Sequence, residues 1–178
     1  KYDYMIPSVP YHGYCMVGGV LSTRSVGPYT YSMGHMENYI ESMQCVMGNG
    51  SIVDTSEPLD QTILDILASI KILLLEKNVT QLIKQRPICS GGFNLRTFLN
   101  EQDPIKQFHA LFVGGLGLLG IITKVVFKLP KKITNSVIYA YPFSTYEQLD
   151  ALLDEIDQCK PYCIEYLDQH LSHLLPKS

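Results

Sequence analysis

Two glycine-rich runs, Met16-Val17-Gly18-Gly19-Val20-Leu21-Ser22 and Gly114-Gly115-Leu116-Gly117-Leu118-Leu119-Gly120-Ile121-Ile122-Thr123, stand about a hundred residues apart and leave the main chain bare at both places. Each adjoins a β-rich stretch. Bare N–H groups beside a sheet let a large, flat, phosphate-bearing cofactor lie against the backbone without meeting a Cβ. The fold must therefore account for two glycine patches, not one.

The chain has 178 residues, 46% of them hydrophobic, enough for one good core or for one domain and part of another. Charged residues make up 17% and the net charge is −3, so no basic surface offers itself to nucleic acid. Five cysteines, Cys15, Cys45, Cys89, Cys159 and Cys163, form no Cys-x-x-Cys pair and read as reduced thiols, most of them in the core. No Cys pair has the short spacing of a zinc knuckle and His170 with His173 has no second pair nearby, so no metal is expected. The most apolar stretch, Thr62 to Leu75, is too short to cross a bilayer and reads as a buried helix. Without an initiator methionine or a signal-like start, the chain reads as a piece of something longer.

Residues 1–37, rich in Tyr, Gly, Pro and Ser, predict irregular backbone laid over a sheet or a ligand. Period-two alternation from Asn38 to Met47, a Gly48-Asn49-Gly50 turn and Ser51-Ile52-Val53 predict a β-hairpin. Ser56 is expected to cap a helix whose buried stripe is Leu59, Ile63, Ile66, Leu67, Ile70 and Leu74, ending near Asn78. Pro87, Gly91-Gly92 and Pro104 are expected to break any long element across 78–108. Ile121 to Leu129 reads as a strand stopped by Pro130, with Ile121, Thr123, Val125, Phe127 and Leu129 on one face. Beyond Lys131-Lys132 the pattern predicts a strand over Val137–Tyr141 and a helix opened by a Ser144–Glu147 capping box with Tyr146, Leu149, Leu152, Leu153 and Ile156 on one face. A strand over Tyr162–Leu167 follows, and Asp168 is placed to cap a last short helix.

Gly115-Leu116-Gly117-Leu118-Leu119-Gly120 matches the letters of the Gly-x-Gly-x-x-Gly dinucleotide fingerprint. The context refuses it, because that fingerprint opens a helix and this one opens a β-branched, period-two run. Taken alone, the segment is a tight glycine turn between strands.

Taken with their flanks, the glycine runs resemble the flavin-binding fold of the vanillyl-alcohol oxidase family, with its PCMH-type FAD-binding domain, and within it the FAD-linked oxidases that include D-lactate dehydrogenases and the glycolate oxidase flavin subunit. Four motifs carry the likeness over most of residues 5–132: Val17 to Thr23 with Gly27-Pro28, Gly34 and Asn38-Tyr39-Ile40; Gly48 to Val53; Ser90 to Leu95; and Leu111 to Thr123. The resemblance implies an α+β fold. Residues 1–132 would be the second subdomain of the FAD-binding domain, a mixed or antiparallel sheet with flanking helices, and residues 133–178 the start of a ferredoxin-like cap domain. It implies that Met16, Val17, Gly18, Gly19, Ser22 and Val26 line FAD, with Ile122 touching it from the second run.

By the same resemblance the intact enzyme is an FAD-linked oxidoreductase of a small 2-hydroxy acid, cytoplasmic or peripheral on the cytoplasmic face of a membrane, with room for a homo-oligomer. Where the family commonly has Gly-Ser-Glu-Gly-Thr-Leu-Gly, residues 114–120 lack the carboxylate and both hydroxyls and come closer to a cytokinin dehydrogenase pattern. Two alternatives stay open: an inert fragment or interaction domain without flavin, and an oxidase of a sugar lactone or cytokinin-like amine. His35, a tempting base, reads as a surface or satisfied histidine, as do His12 and His109. Tyr11, Tyr14, Tyr29 and Tyr31 pack on a sheet as readily as on a flavin ring. Lys131 and Lys132 read as solvated edge charges, and Glu165 and Asp168 as capping residues. No catalytic residue is assigned.

Overall fold

The computed structural model describes residues 3–10, 14–76, 79–85 and 91–168. The chain is α+β. It opens with helix α1 (Val17–Ser22), helix α2 (Thr30–Met33) and a 3-10 turn (Met36–Tyr39), then forms strands β1 (Ile40–Met47) and β2 (Ile52–Asp54). Helices α3 (Gln61–Glu76), α4 (Val79–Gln85), α5 (Leu95–Asn100) and α6 (Pro104–Phe112) follow, then strand β3 (Gly120–Phe127) and helix α7 (Tyr146–Gln158). The three strands form an antiparallel sheet in the order β2-β1-β3.

The predicted hairpin is present, with Cys45 opposite Val53 and the Gly50 N–H closing the turn on Met47 O at 2.9 Å. Strand β3 departs from simple alternation. Gln44 faces Lys124 while Cys45 faces Ile122, so Thr123 is an extra residue, and its hydroxyl donates to Gln44 O at 3.2 Å. A bulge of this kind flips the faces beyond it. Ile122, Val125 and Phe127 accordingly pack on the core, while Ile121 and Thr123 are exposed. The expected grouping of Ile121 with Val125 and Phe127 is corrected by that one residue.

The core lies between one face of this sheet and the helices. Leu21, Cys45, Phe98 and Val113 are completely buried, joined by Met43, Ile63, Leu67, Phe108 and Phe112. Phe108 and Phe112, one turn apart on α6, stack with centroids 4.4 Å apart. Of the described cysteines only Cys45 is fully buried; Cys15 and Cys163 are half-buried and Cys159 is exposed. Burial pushes the Cys45 thiol up to about 12, with Asp54 adding to the effect, which keeps it protonated and unreactive.

Several local expectations are corrected. Residues 17–22 are helical despite Gly18-Gly19, because burying Val20 and Leu21 outweighs the poor helix propensity of glycine, about 1 kcal/mol per residue. Ser56 does not cap α3. Its N–H and hydroxyl both bond the Asp54 carboxylate, and Asp60 caps instead, accepting the Ile63 N–H at 2.9 Å. The expected apolar stripe of α3 is present except at one position: Ile63 and Leu67 lie in the core with Leu59, Ile70 and Leu74 packed against it, while Ile66 is exposed, as are Ile72, Leu73 and Leu75 outside the stripe. The described residues of 79–112 carry three helices, and Pro104 starts α6 rather than breaking it, since a first-turn proline forfeits no helix bond and Asp103 accepts the Ile105 N–H. The capping box of α7 lies one residue on from the expected one, with Thr145 accepting the Gln148 N–H and Gln148 Oε1 accepting the Ser144 N–H.

Val137–Tyr141 and Tyr162–Leu167, read as strands, form none among the described residues. Pairing needs a partner edge, and the sheet presents none beside them. The expected last helix after Asp168, together with Tyr11, His12 and Cys89, lies outside the described residues. Among the described residues no helix is long and apolar enough to cross a membrane.

His109, 4% exposed, is held by the hairpin. Thr55 Oγ1 accepts the Met43 N–H at 2.9 Å and lies 2.9 Å from His109 Nε2, so its own proton is free to point at an unprotonated ring nitrogen. Burial holds this imidazole down to about 4, although Asp103 pulls the other way. The unfolded chain, with an ordinary histidine near 6.5, takes up a proton first as pH falls. His109 therefore costs the fold roughly 3 kcal/mol, fully felt only once pH has dropped from about 6.5 to about 4. Urea midpoints measured from pH 7 to pH 4 should fall less steeply for His109→Gln than for the unsubstituted chain.

Candidate functional site

The site is built from the C-terminal end of α1. A helix leaves its last carbonyls without intrahelical partners. Here Gly19 O accepts the Thr23 N–H and hydroxyl, and Val20 O accepts the Ser25 N–H at 2.9 Å. Leu21 O accepts the Arg24 N–H at 3.0 Å. This is a Schellman ending, whose left-handed position is usually glycine; here it is Arg24, with φ of +50°.

The remaining acceptor capacity is filled by the second glycine run. Gly114 N–H donates to Leu21 O at 2.8 Å and Leu116 N–H to Ser22 O at 2.9 Å. The two runs are thus stitched main chain to main chain. Leu116 and Gly117 have φ of +52° and +77°, and the Leu118 N–H closes the turn on Gly115 O at 2.9 Å. Two consecutive positive φ values make this a type I′-like turn, joining helix α6 to strand β3 rather than strand to strand or strand to helix.

Behind the joint lies a cluster that sequence reasoning missed. The Arg24 guanidinium meets Glu37 Oε1 through Nη2 at 2.6 Å and Nε at 2.7 Å, and each side chain is only 8% exposed. Asn94 Nδ2 donates to the same oxygen at 3.1 Å, while Asn94 Oδ1 caps α5 by accepting the Thr97 N–H. Glu37 Oε2 and the half-buried His35 Nδ1 are buried without a hydrogen-bond partner. Burial and Arg24 lower the His35 pKa, against the opposing pull of Glu37. His35 is therefore half-buried with its Nδ1 unpartnered, and not a fully satisfied histidine. No periodicity or spacing links positions 24, 37 and 94, so no local signal could have found the cluster.

The residues expected to line a cofactor are placed as follows. Met16, Val17, Gly18 and Gly19 form an exposed first turn of α1 that no side chain caps, and a Cβ at Gly18 or Gly19 would meet nothing within 4 Å. Ser22 sits at the joint. Val26 is exposed and lines a cavity of about 510 Å³ together with Pro28, Tyr31, Cys163, Ile164 and Glu165. Tyr31 OH bonds Asp157, and Ser32 Oγ donates to Tyr162 O at 2.8 Å, fixing the cavity's two walls. The Asp157 bond raises the Tyr31 pKa. Ile122 lies on β3 with its side chain toward the core, so a ligand on the outer face would meet Ile121 and the Ile122 main chain.

An α+β unit with a three-stranded antiparallel sheet, flanking helices and two joined glycine runs is the class these features define. The sequence is similar to a D-lactate dehydrogenase of Archaeoglobus fulgidus, 24% identical over 154 residues that make up 86% of this chain. The chain spans about a quarter, 26%, of that curated relative's length. No protein-family model matches it.

Proposed function

We propose that this chain forms one wall of the cofactor groove of an FAD-linked oxidoreductase, and that the whole enzyme oxidises a small 2-hydroxy acid such as D-lactate or glycolate. The observation that carries the reading is the joint between the two glycine runs, Gly114 to Leu21 and Leu116 to Ser22, which brings segments far apart in sequence side by side. The likeness to a D-lactate dehydrogenase supports it. The residues present fit the group, because Gly18 and Gly19 leave open the space that a Cβ would fill. FAD, when bound, supplies the hydride acceptor.

Met16, Val17, Gly18 and Gly19 would offer backbone N–H groups, Ser22 a hydroxyl, Val26 apolar contact and Ile122 its main chain, since its side chain packs on the core. Their work is positioning and exclusion of water, with no proton carried by any of them.

The test is an FAD titration of the chain, followed by quenching of flavin fluorescence, for wild type, Gly18→Ala and Gly19→Ala. In a helix with open space around it, each substitution should raise stability, by up to about 1 kcal/mol. On a cofactor wall the same methyl blocks close approach and should weaken FAD binding at least about tenfold, roughly 1.4 kcal/mol. Absence of saturable quenching by the wild type, or unchanged affinity in both variants, would overturn the reading.

A further inference from the structure

From Ile133 to Tyr146 the chain carries no charged residue. Its centre forms no ladder among the described residues, and Val137, Ile138, Tyr139 and Tyr141 are 74, 91, 73 and 53% exposed. The Tyr139 and Tyr141 rings stack with centroids 6.3 Å apart, as side chains two apart do on one side of extended backbone. An uncharged, apolar strand with open edges is a template for pairing with another strand.

We propose that Val137–Tyr141 pairs antiparallel with the same segment of a second copy of this chain, about a twofold axis at Tyr139. Charge selects both the occupant and the direction. Lys131 and Lys132 precede the segment, while Glu147 and Asp150 follow it. Antiparallel self-pairing sets each copy's basic end beside the other's acidic end, whereas parallel pairing would set like on like. The register also matches shapes: Tyr141 of one copy lies opposite Val137 of the other, an aromatic against a β-branched side chain, and Ile138 opposite Ala140, large against small. Pro142, which has no N–H to give, ends the ladder on each side. The contact is isologous and closes at two copies.

Sedimentation equilibrium up to about 100 μM, where a contact in the small, weak class still populates a dimer, tests this. The wild type should approach twice the monomer mass. Ile138→Lys and Tyr139→Pro should each return it to monomer, with circular dichroism unchanged because the segment lies outside the core. Lys131→Glu with Lys132→Glu should weaken association, and adding Glu147→Lys with Asp150→Lys should restore it. A wild type that stays monomeric overturns the proposal and leaves the segment to a strand from elsewhere in a longer polypeptide. A dimer that survives both single substitutions also overturns it, placing the contact on another surface such as the exposed face of α3.

Discussion

Arg24→Ala is expected to remove about 3–5 kcal/mol of stability, the cost of leaving a buried carboxylate without its counter-ion. Glu37 is 8% exposed and one of its oxygens already lacks a partner, so the loss of Arg24 would leave only Asn94 Nδ2 to stabilise the charge. Arg24→Gly gives a sharper test. A side chain at φ of +50° costs about 1–2 kcal/mol that glycine does not incur, and alanine keeps that cost while arginine offsets it through Glu37. Glycine should therefore be the milder substitution by about 1 kcal/mol. The double change Arg24→Met with Glu37→Leu should come close to wild type, because a buried ion pair exchanged whole for apolar groups is often neutral. Denaturant unfolding of the four proteins decides it: alanine no worse than glycine would show that the left-handed backbone at 24 carries no cost, and alanine as stable as wild type would show that Glu37 does not need Arg24.

What the sequence disclosed, and what it hid, divides along range of interaction. The hairpin was legible because period-two alternation and Gly48-Asn49-Gly50 act within a few residues. Strand β3 was legible for the same reason, but its bulge was not, since placing Thr123 outside the ladder depends on how β3 meets β1. Helix α7 was found by its capping chemistry, displaced by one residue because Thr145 and Ser144 are equally good caps on paper. Helix α1 was missed because its glycines argue against a helix, and only the tertiary burial of Leu21 argues for one. The strands expected at Val137 and Tyr162 had strand composition but no neighbouring edge, and composition cannot supply a partner.

The candidate site follows the same division. Bare main chain at two places could be read directly, and so could the refusal of the dinucleotide fingerprint, because β-branched residues follow Gly120 at once. That the runs meet could be expected only through resemblance, and the bonds that join them involve carbonyls no side-chain pattern announces. Leu116 shows the limit best. A leucine at φ of +52°, 62% exposed, sits where turn chemistry favours glycine or asparagine, and its N–H is what reaches Ser22.

Gly114→Ala should be the most damaging single-methyl substitution at the joint. Gly114 has φ of +86°, and a Cβ there would overlap the Gly92 carbonyl oxygen and come within 3.2 Å of Arg24 Cβ. The oxygen belongs to backbone and not to the far end of a flexible side chain, so relief requires the second run to move off the 91–92 bend and Arg24, which strains the Gly114–Leu21 bond. Adding strain at a left-handed position to overpacking gives an expected loss of about 3 kcal/mol or more. Gly117→Ala is the control: φ is +77°, yet nothing lies within 4 Å of its Cβ, so only the backbone cost of about 1–2 kcal/mol applies. Amide exchange at Leu116 reads the joint itself, because that N–H is protected by Ser22 O. Gly114→Ala should strip this protection while the β1–β3 amides keep theirs, and Gly117→Ala should preserve both. If the two variants proved equally stable with Leu116 equally protected, the glycine at 114 would be a matter of backbone freedom alone, and the close fit of the runs would not be what selects it.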